Sequence, residues 1–255
     1  MALEIEQFMC REDNFGILAR NPKTGETFLV DAPEELAIVE AVERTGWRPS
    51  MLIVTHHHRD HVEANLAVKE RYGLRIIGPA AEASKIPGID RSVSEGERFE
   101  AAGHAVEVIA TPGHTAGHVS YFIPEAGIAF TGDTLFAIGC GRLFEGRAGD
   151  MLSSLRKLAA LPLETEVYCG HEYTLSNARF ALSVDPTNSA LKERARQVEE
   201  LRKRGRATLP TTIGKEMATN PFLRWHDPAI RRNLGMKDAT DEAVFAEIRK
   251  RKDVF

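Results

Sequence analysis

A mixed α/β domain followed by a mostly helical segment is the fold class that this sequence predicts. Short apolar runs separated by turn residues recur from the N-terminus to Cys169, and stretches of helical composition lie among them. Beyond residue 174 the apolar runs give way to charged stretches that hold neither Gly nor Pro.

Leu3–Met9 alternates loosely between apolar and polar residues. Thr27–Val30 follows Asn21-Pro22-Lys23-Thr24-Gly25, a run of turn-favouring types, so a hairpin is expected there. Residues 33–45 have helical composition and Gly46 ends them. Met51–Val54 is a short continuous apolar run, the pattern of a strand buried on both faces. A helix is expected over Val62–Tyr72, stopped by Gly73, and then a strand over Leu74–Ile77. Val106–Ala110, Val119–Ile123 and Ile128–Phe130 continue the strand series, and Glu166–Cys169 closes it. Helices over Asn188–Arg204 and Asp241–Lys252 are expected in the last segment. The less regular Asn220-Pro221-Phe222-Leu223-Arg224 lies between them. No repeat or low-complexity tract interrupts this order.

With 255 residues the chain can build one large core, or a core domain with a smaller appendage. Its 43% hydrophobic and 27% charged residues are ordinary for a soluble globular protein. No stretch approaches the ~20 apolar residues that span a bilayer, so no membrane partner is expected. Met1-Ala2-Leu3-Glu4 opens no basic-then-apolar leader, so a signal peptide is not expected either. Cys10, Cys140 and Cys169 are too few and too scattered for a disulfide framework, which points to a reducing, cytoplasmic setting. Residues 186–255 hold 16 Lys+Arg against 10 Asp+Glu, a balance of +6, which leaves −10 for the rest of a chain whose net charge is −4. An acidic first part suits cations, and a basic last part suits an anionic partner or simply a solvated helical surface. The basic residues are interleaved with acidic ones and match no nucleic-acid recognition motif, so no nucleic-acid partner is expected. No long apolar surface helix stands out, and a monomer is expected.

The chemistry concentrates in Thr55-His56-His57-His58-Arg59-Asp60-His61, which follows the buried strand at Met51–Val54. In an extended segment residues i and i+2 point to the same side. His56 and His58 therefore reach one ion together, and His57 points away. Asp60 and His61 stand where the chain turns into a helix and can face a second ion. Imidazole with carboxylate suits zinc, iron or manganese. Three later segments place His or Asp beside glycine just past a strand: Gly113-His114, Gly132-Asp133 and Gly170-His171. Loops at strand ends are held by a rigid sheet, and ligands gather there. His118 reads as a buried or supporting histidine, and His104 and His226 as ordinary residues.

Taken together, Thr-His-x-His-x-Asp-His, the later Gly-His, the Gly-Asp and the last Gly-His resemble the metallo-β-lactamase superfamily over residues 1–173. The resemblance implies a four-layer αββα sandwich with metals at one edge. It also implies that His56, His58 and His114 hold one ion, that Asp60, His61 and His171 hold a second, and that Asp133 bridges them. The likeness is closer still to the hydroxyacylglutathione hydrolase (glyoxalase II) family. It rests on residues 55–61, on Gly139-Cys140-Gly141-Arg142-Leu143-Phe144-Glu145-Gly146, on Gly170-His171-Glu172-Tyr173-Thr174, on Asn220–Arg224 and on Arg249-Lys250-Arg251-Lys252-Asp253. Residues 174–255 would then form a helical substrate-binding domain appended to a catalytic domain of residues 1–173.

This second resemblance implies glutathione contacts from Arg142, Phe144, Tyr173, Arg249 and Lys252. Arg142 stands where many members carry lysine, which keeps the charge. Phe144 stands where some carry tyrosine, which removes a hydroxyl. The implied reaction is hydrolysis of an S-(2-hydroxyacyl)glutathione to glutathione and a 2-hydroxy acid, D-lactate when the acyl group is lactoyl, as the second step of methylglyoxal detoxification. Two divalent ions, zinc in the first instance and iron or manganese otherwise, would share a water of lowered pKa, and Asp60 would orient it for attack. The leaving thiolate has a pKa near ~8.5 and needs little help from a general acid. A single-iron persulfide dioxygenase and a lactonase are the rivals on the same scaffold. Seven ligands exceed what one ion uses, and the C-terminal basic residues argue against the lactonase. A purely structural zinc site is a third reading, but such sites are closed, four-coordinate and rich in cysteine.

Overall fold

The computed structural model describes residues 2–255; Met1, the first residue of the stretch read for a leader, lies outside the described residues. The chain packs as two compact units. The residues up to Ala110 and Thr115–Gly132 form the first, and Thr111–His114 with Asp133–Phe255 form the second.

In the first unit β1 (Glu4–Cys10), β2 (Asn14–Arg20) and β3 (Thr27–Val30) make an antiparallel meander. The turn between β2 and β3 is the expected one, closed by the Asn21 N–H on the Glu26 carbonyl at 2.9 Å. α1 (Glu35–Thr45) ends at Gly46, whose left-handed backbone returns its N–H to the Val42 carbonyl. β4 (Met51–Ile53), β5 (Arg75–Pro79) and β6 (Arg91–Val93) then add in parallel beside β3, so the sheet runs in chain order from β1 to β6. Parallel neighbours need crossovers. α1 is one of them, and it buries Ile38, Ala41 and Val42 against Leu18, Leu29 and Leu52 of the sheet.

The helix expected over Val62–Tyr72 divides into α2 (Arg59–Val62) and α3 (Asn65–Tyr72). Ala32, just past β3, explains the break. Its N–H donates to the His61 carbonyl at 2.8 Å, and its carbonyl accepts from the Ala64 N–H at 3.0 Å. The backbone groups that would continue the helix are spent on the sheet edge instead, and His61 is fixed by main chain as well as side chain.

A second sheet of this unit is the antiparallel run β7 (Arg98–Ala101), β8 (His104–Ala110), β9 (Val119–Ile123) and β10 (Ile128–Gly132). It faces the first sheet. Phe28 meets Phe130 edge-on at 5.9 Å, and the Tyr121 hydroxyl donates to the Val54 carbonyl at 2.8 Å.

The second unit begins, after residues 111–114, with the hairpin β11 (Leu135–Phe136) and β12 (Gly139–Cys140). α4 (Ala148–Ala159), β13 (Glu166–Cys169), α5 (Thr174–Val184) and α6 (Ser189–Lys203) follow. β14 (Thr211–Thr212) pairs with β13, and α7 (Ile213–Thr219), α8 (Pro228–Leu234) and α9 (Asp241–Asp253) complete the chain. α6 and α9 are the two helices read from the sequence. Asn188 and Thr240 cap them, their side chains accepting from the Leu191 and Ala243 N–H groups. The Asn220–Arg224 motif is a clamp. Asn220 Nδ2 donates to the Gly139 carbonyl at 2.9 Å, which ties the β11–β12 hairpin to the helical core, and Phe222 packs beside Phe180 and Phe245. Among the described residues no helix is long and apolar enough to cross a membrane.

Candidate metal and substrate site

Four of the seven predicted metal ligands belong to the first unit and gather at the end of β4. The His56 ring lies 4.8 Å from that of His58 and 4.2 Å from that of His61, centre to centre. His61 Nε2 is 3.7 Å from Asp60 Oδ2. The segment is extended at His58 and helical from Arg59, which is the local geometry expected. β10 passes close by. A Cβ on Gly132 would stand 2.6 Å from Thr55 Oγ1 and 2.7 Å from His118 Nε2, so only glycine fits. His118 is fully buried with its ring 4.9 Å from that of His56, in keeping with a supporting role.

The other three predicted ligands belong to the second unit and converge on one oxygen. His114 Nε2 and His171 Nε2 each lie 3.3 Å from Asp133 Oδ2, and all three side chains are buried.

Hydrogen bonds decide which ring nitrogen carries the proton. The Thr55 hydroxyl donates to Asp31 Oδ2 at 2.9 Å, so its oxygen can only accept from His56 Nδ1, 3.0 Å away. His61 Nδ1 donates to the same Asp31 oxygen at 2.9 Å, and His114 Nδ1 donates to the Arg142 carbonyl at 2.8 Å. With Nδ1–H engaged, Nε2 of each neutral ring presents a lone pair, the state a metal ligand needs. The residues present therefore fit divalent cations.

Two partners escaped the sequence reading. Asp31 takes the Thr55 N–H at 2.8 Å besides the Thr55 hydroxyl and His61. Asn14 donates from Nδ2 to Asp60 Oδ2 at 3.1 Å and to the Asp60 carbonyl at 3.0 Å. Asp31 did offer a signal, since it is an acid directly after a buried strand, but no glycine marks it. Asn14 offered none.

The predicted glutathione contacts all lie in the second unit. Asp253 gathers two of them, with Arg249 Nη2 at 3.0 Å and Arg142 Nε at 3.4 Å. Arg249 is buried, donates from Nη1 to the Cys140 carbonyl at 2.9 Å and lies over the Phe222 ring. Lys252 donates to Ser176 Oγ at 3.0 Å, and burial, reinforced by the Arg249 and Arg142 charges, lowers its pKa from the ordinary lysine value. Tyr173 stacks flat on His171 at 4.7 Å, and the exposed Phe144 meets His114 edge-on at 5.3 Å. The cysteines form no disulfide and are buried. Burial pushes the Cys140 thiol up to about 11 and the Cys169 thiol up to about 12, which keeps both protonated and poorly nucleophilic at neutral pH.

Comparison with known proteins agrees at two levels. Residues 17–171 match the family model of the metallo-beta-lactamase superfamily. The crystal structure of ETHE1 from Myxococcus xanthus superposes with a TM-score of 0.69 over 97% of this chain and 90% of that one, at 24% identity. The BLEG-1 B3 metallo-beta-lactamase superposes with a TM-score of 0.66 over 86% of this chain and 99% of its own, at 23% identity. Fold and donor set thus define the class, a metal-binding protein of the metallo-β-lactamase fold. Residues 172–255 match the model described as the hydroxyacylglutathione hydrolase C-terminus. The hydroxyacylglutathione hydrolase of Chelativorans sp. (strain BNC1) is 71% identical, and that of Mesorhizobium japonicum (strain LMG 29417 / CECT 9101 / MAFF 303099) is 67% identical, each over the full length of both chains. The chain belongs to the hydroxyacylglutathione hydrolase family.

Proposed function

We propose that this chain hydrolyses the thioester of S-(2-hydroxyacyl)glutathiones, S-D-lactoylglutathione among them, to glutathione and a 2-hydroxy acid, the second step of methylglyoxal detoxification. The observation that carries this reading is the full-length 71% identity to a hydroxyacylglutathione hydrolase, which includes the helical segment with its basic residues. His56, His58 and His114 would hold one divalent ion, and Asp60, His61 and His171 a second, with Asp133 between them; all seven are among the side chains able to take part in holding a metal. The His and Asp donor set is hard to intermediate in character and favours zinc, with iron or manganese as the other candidates. When bound, two such ions would supply a water of lowered pKa and a Lewis acid for the thioester carbonyl.

The chain's own residues do the rest. Asn14 fixes Asp60 through Oδ2, and Asp60 orients the attacking water. Asp31 and Thr55 keep His56 and His61 in the tautomer that binds through Nε2. Arg142, Arg249 and Lys252 bind the peptide carboxylates of glutathione, Arg142 with a planar fork of parallel N–H groups. Tyr173 and Phe144, which lie against the His171 and His114 rings, contact glutathione. The thiolate leaves with a pKa near ~8.5, so no side chain is needed to protonate it. The same reading takes the chain as a cytoplasmic monomer without nucleic-acid or membrane partners; the buried, unbridged cysteines support the compartment. It also sets the boundary between a catalytic and a substrate-binding domain at residues 173/174, supported by family models that meet at 171/172.

Asp133→Ala tests the two-ion arrangement. Removing an outer partner of a metal ligand lowers affinity or activity about 10–100-fold, and loss of a bridging ligand is expected to exceed that. The measurement is kcat on S-D-lactoylglutathione beside the metal content of the same sample. Near-normal turnover by the variant contradicts two ions sharing Asp133.

A further inference from the structure

Glu82 is a carboxylate with 2% of its surface exposed, on the short 3₁₀ helix Ala80–Lys85 that follows β5, and it is none of the predicted ligands or substrate contacts. Burying a charged carboxylate is unfavourable unless hydrogen bonds replace its water. Both of its oxygens are engaged. Oε2 accepts the His57 main-chain N–H at 2.7 Å and lies 2.8 Å from the His57 ring Nδ1. Oε1 accepts the Thr115 hydroxyl at 2.5 Å and the Gly117 N–H at 2.9 Å. His57 is the residue between two predicted ligands, turned to the opposite side of an extended segment. Thr115 follows His114, and Gly117 precedes His118. One side chain thus pins the middle of the His56–His58 segment to the 115–117 loop without touching any predicted ligand.

We infer that Glu82 is a positioning residue for the metal site: it sets the spacing of His56 and His58 by holding His57 from behind. The inference rests on the two-ion reading above. It makes a definite chemical demand, because the site needs two acceptor oxygens facing N–H and O–H donors on both sides. A carboxamide offers one acceptor and one donor. Glu82→Gln can therefore satisfy one loop and must repel an N–H of the other, while every metal donor stays in place. A Gly117 Cβ would stand 2.6 Å from Glu82 Cγ, so the loop has no room to shift around the misfit.

The test is zinc affinity of the metal-free protein, read by competition with a chromophoric chelator well below the thermal midpoint, with the midpoint of the metal-free protein measured alongside. Glu82→Gln is expected to weaken zinc binding by about tenfold or more, the low end of the range for outer partners of metal ligands. Should that variant fail to fold, Thr115→Val, which removes one donor, is expected to shift affinity in the same direction by a smaller factor. A folded variant with a lowered midpoint and wild-type zinc affinity would make Glu82 a strut of the fold and overturn the inference. So would a variant unchanged in both. A wild-type chain that takes up no zinc would instead overturn the two-ion reading itself, so the two failures are told apart.

Discussion

A neutral imidazole has one N–H and one lone pair, and at His56, His61 and His114 the neighbours settle which nitrogen holds which. Asp31 governs two of the three, His61 directly and His56 through the Thr55 hydroxyl. Its backbone is left-handed, with φ at 53°, a conformation that Asp tolerates better than most residues. Asp31→Asn keeps the shape but replaces one acceptor oxygen with an N–H₂. If the remaining oxygen still takes the Thr55 N–H, the amide faces His61 Nδ1 and favours the tautomer whose Nε2 carries hydrogen. Metal affinity is expected to fall about 10–100-fold, measured by chelator competition, and wild-type affinity would contradict the tautomer argument. The candidate ligands were legible in the sequence because they sit in short motifs after apolar runs. Asp31 stands 24 positions before the Thr55 that it serves, and Asn14 stands 46 before Asp60. Pairings at that distance are made by sheet topology, which no local pattern records.

Helix α9 ends in basic residues that admit two readings. Basic residues in a last turn are favoured by the helix dipole alone, and the sequence offered no way to separate that from binding. In the fold Arg249 is buried on the Cys140 carbonyl and Lys252 is half-buried beside Ser176, contacts that a solvated helix end would not make. In the proposed role Lys252 would bind a glutathione carboxylate as its ammonium, whose pKa lies below the usual 10.5 because burial and two arginines disfavour the charge. KM for the thioester is therefore expected to rise with pH through a pKa below that value, and Lys252→Arg should abolish the rise. An identical profile in both proteins contradicts the role. Stability takes the same sign, since a lowered folded pKa means that the unfolded chain binds more protons in the window up to 10.5, so the contribution of Lys252 grows as pH rises there. Among the elements, α1, β4, α6 and α9 were legible from periodicity and stop signals. β2 was not, because Gly16 interrupts its apolar run. The split between α2 and α3 was not, because it is imposed by hydrogen bonds to Ala32.

At the scale of the whole chain, composition and architecture divide it differently. The charge changes from −10 to +6 near residue 185, and the family models meet at 171/172. The compact units instead exchange chain at 110/111, 114/115 and 132/133. His114 and Asp133 each stand at one of these crossings. The α/β class and the helical C-terminal region were readable from the order of apolar runs, but the crossings were not, because packing alone defines them. On the proposed reading this fold, with its His and Asp clusters and its basic C-terminal helix, is a two-metal glutathione thioesterase. The most direct test is hydrolysis of S-D-lactoylglutathione, followed at the thioester absorbance before and after chelation and after metal is restored, with metal content measured on the same sample. Turnover that chelation removes and divalent metal restores, at two ions per chain, is the expected result. A folded, two-metal protein that leaves this thioester intact would contradict it.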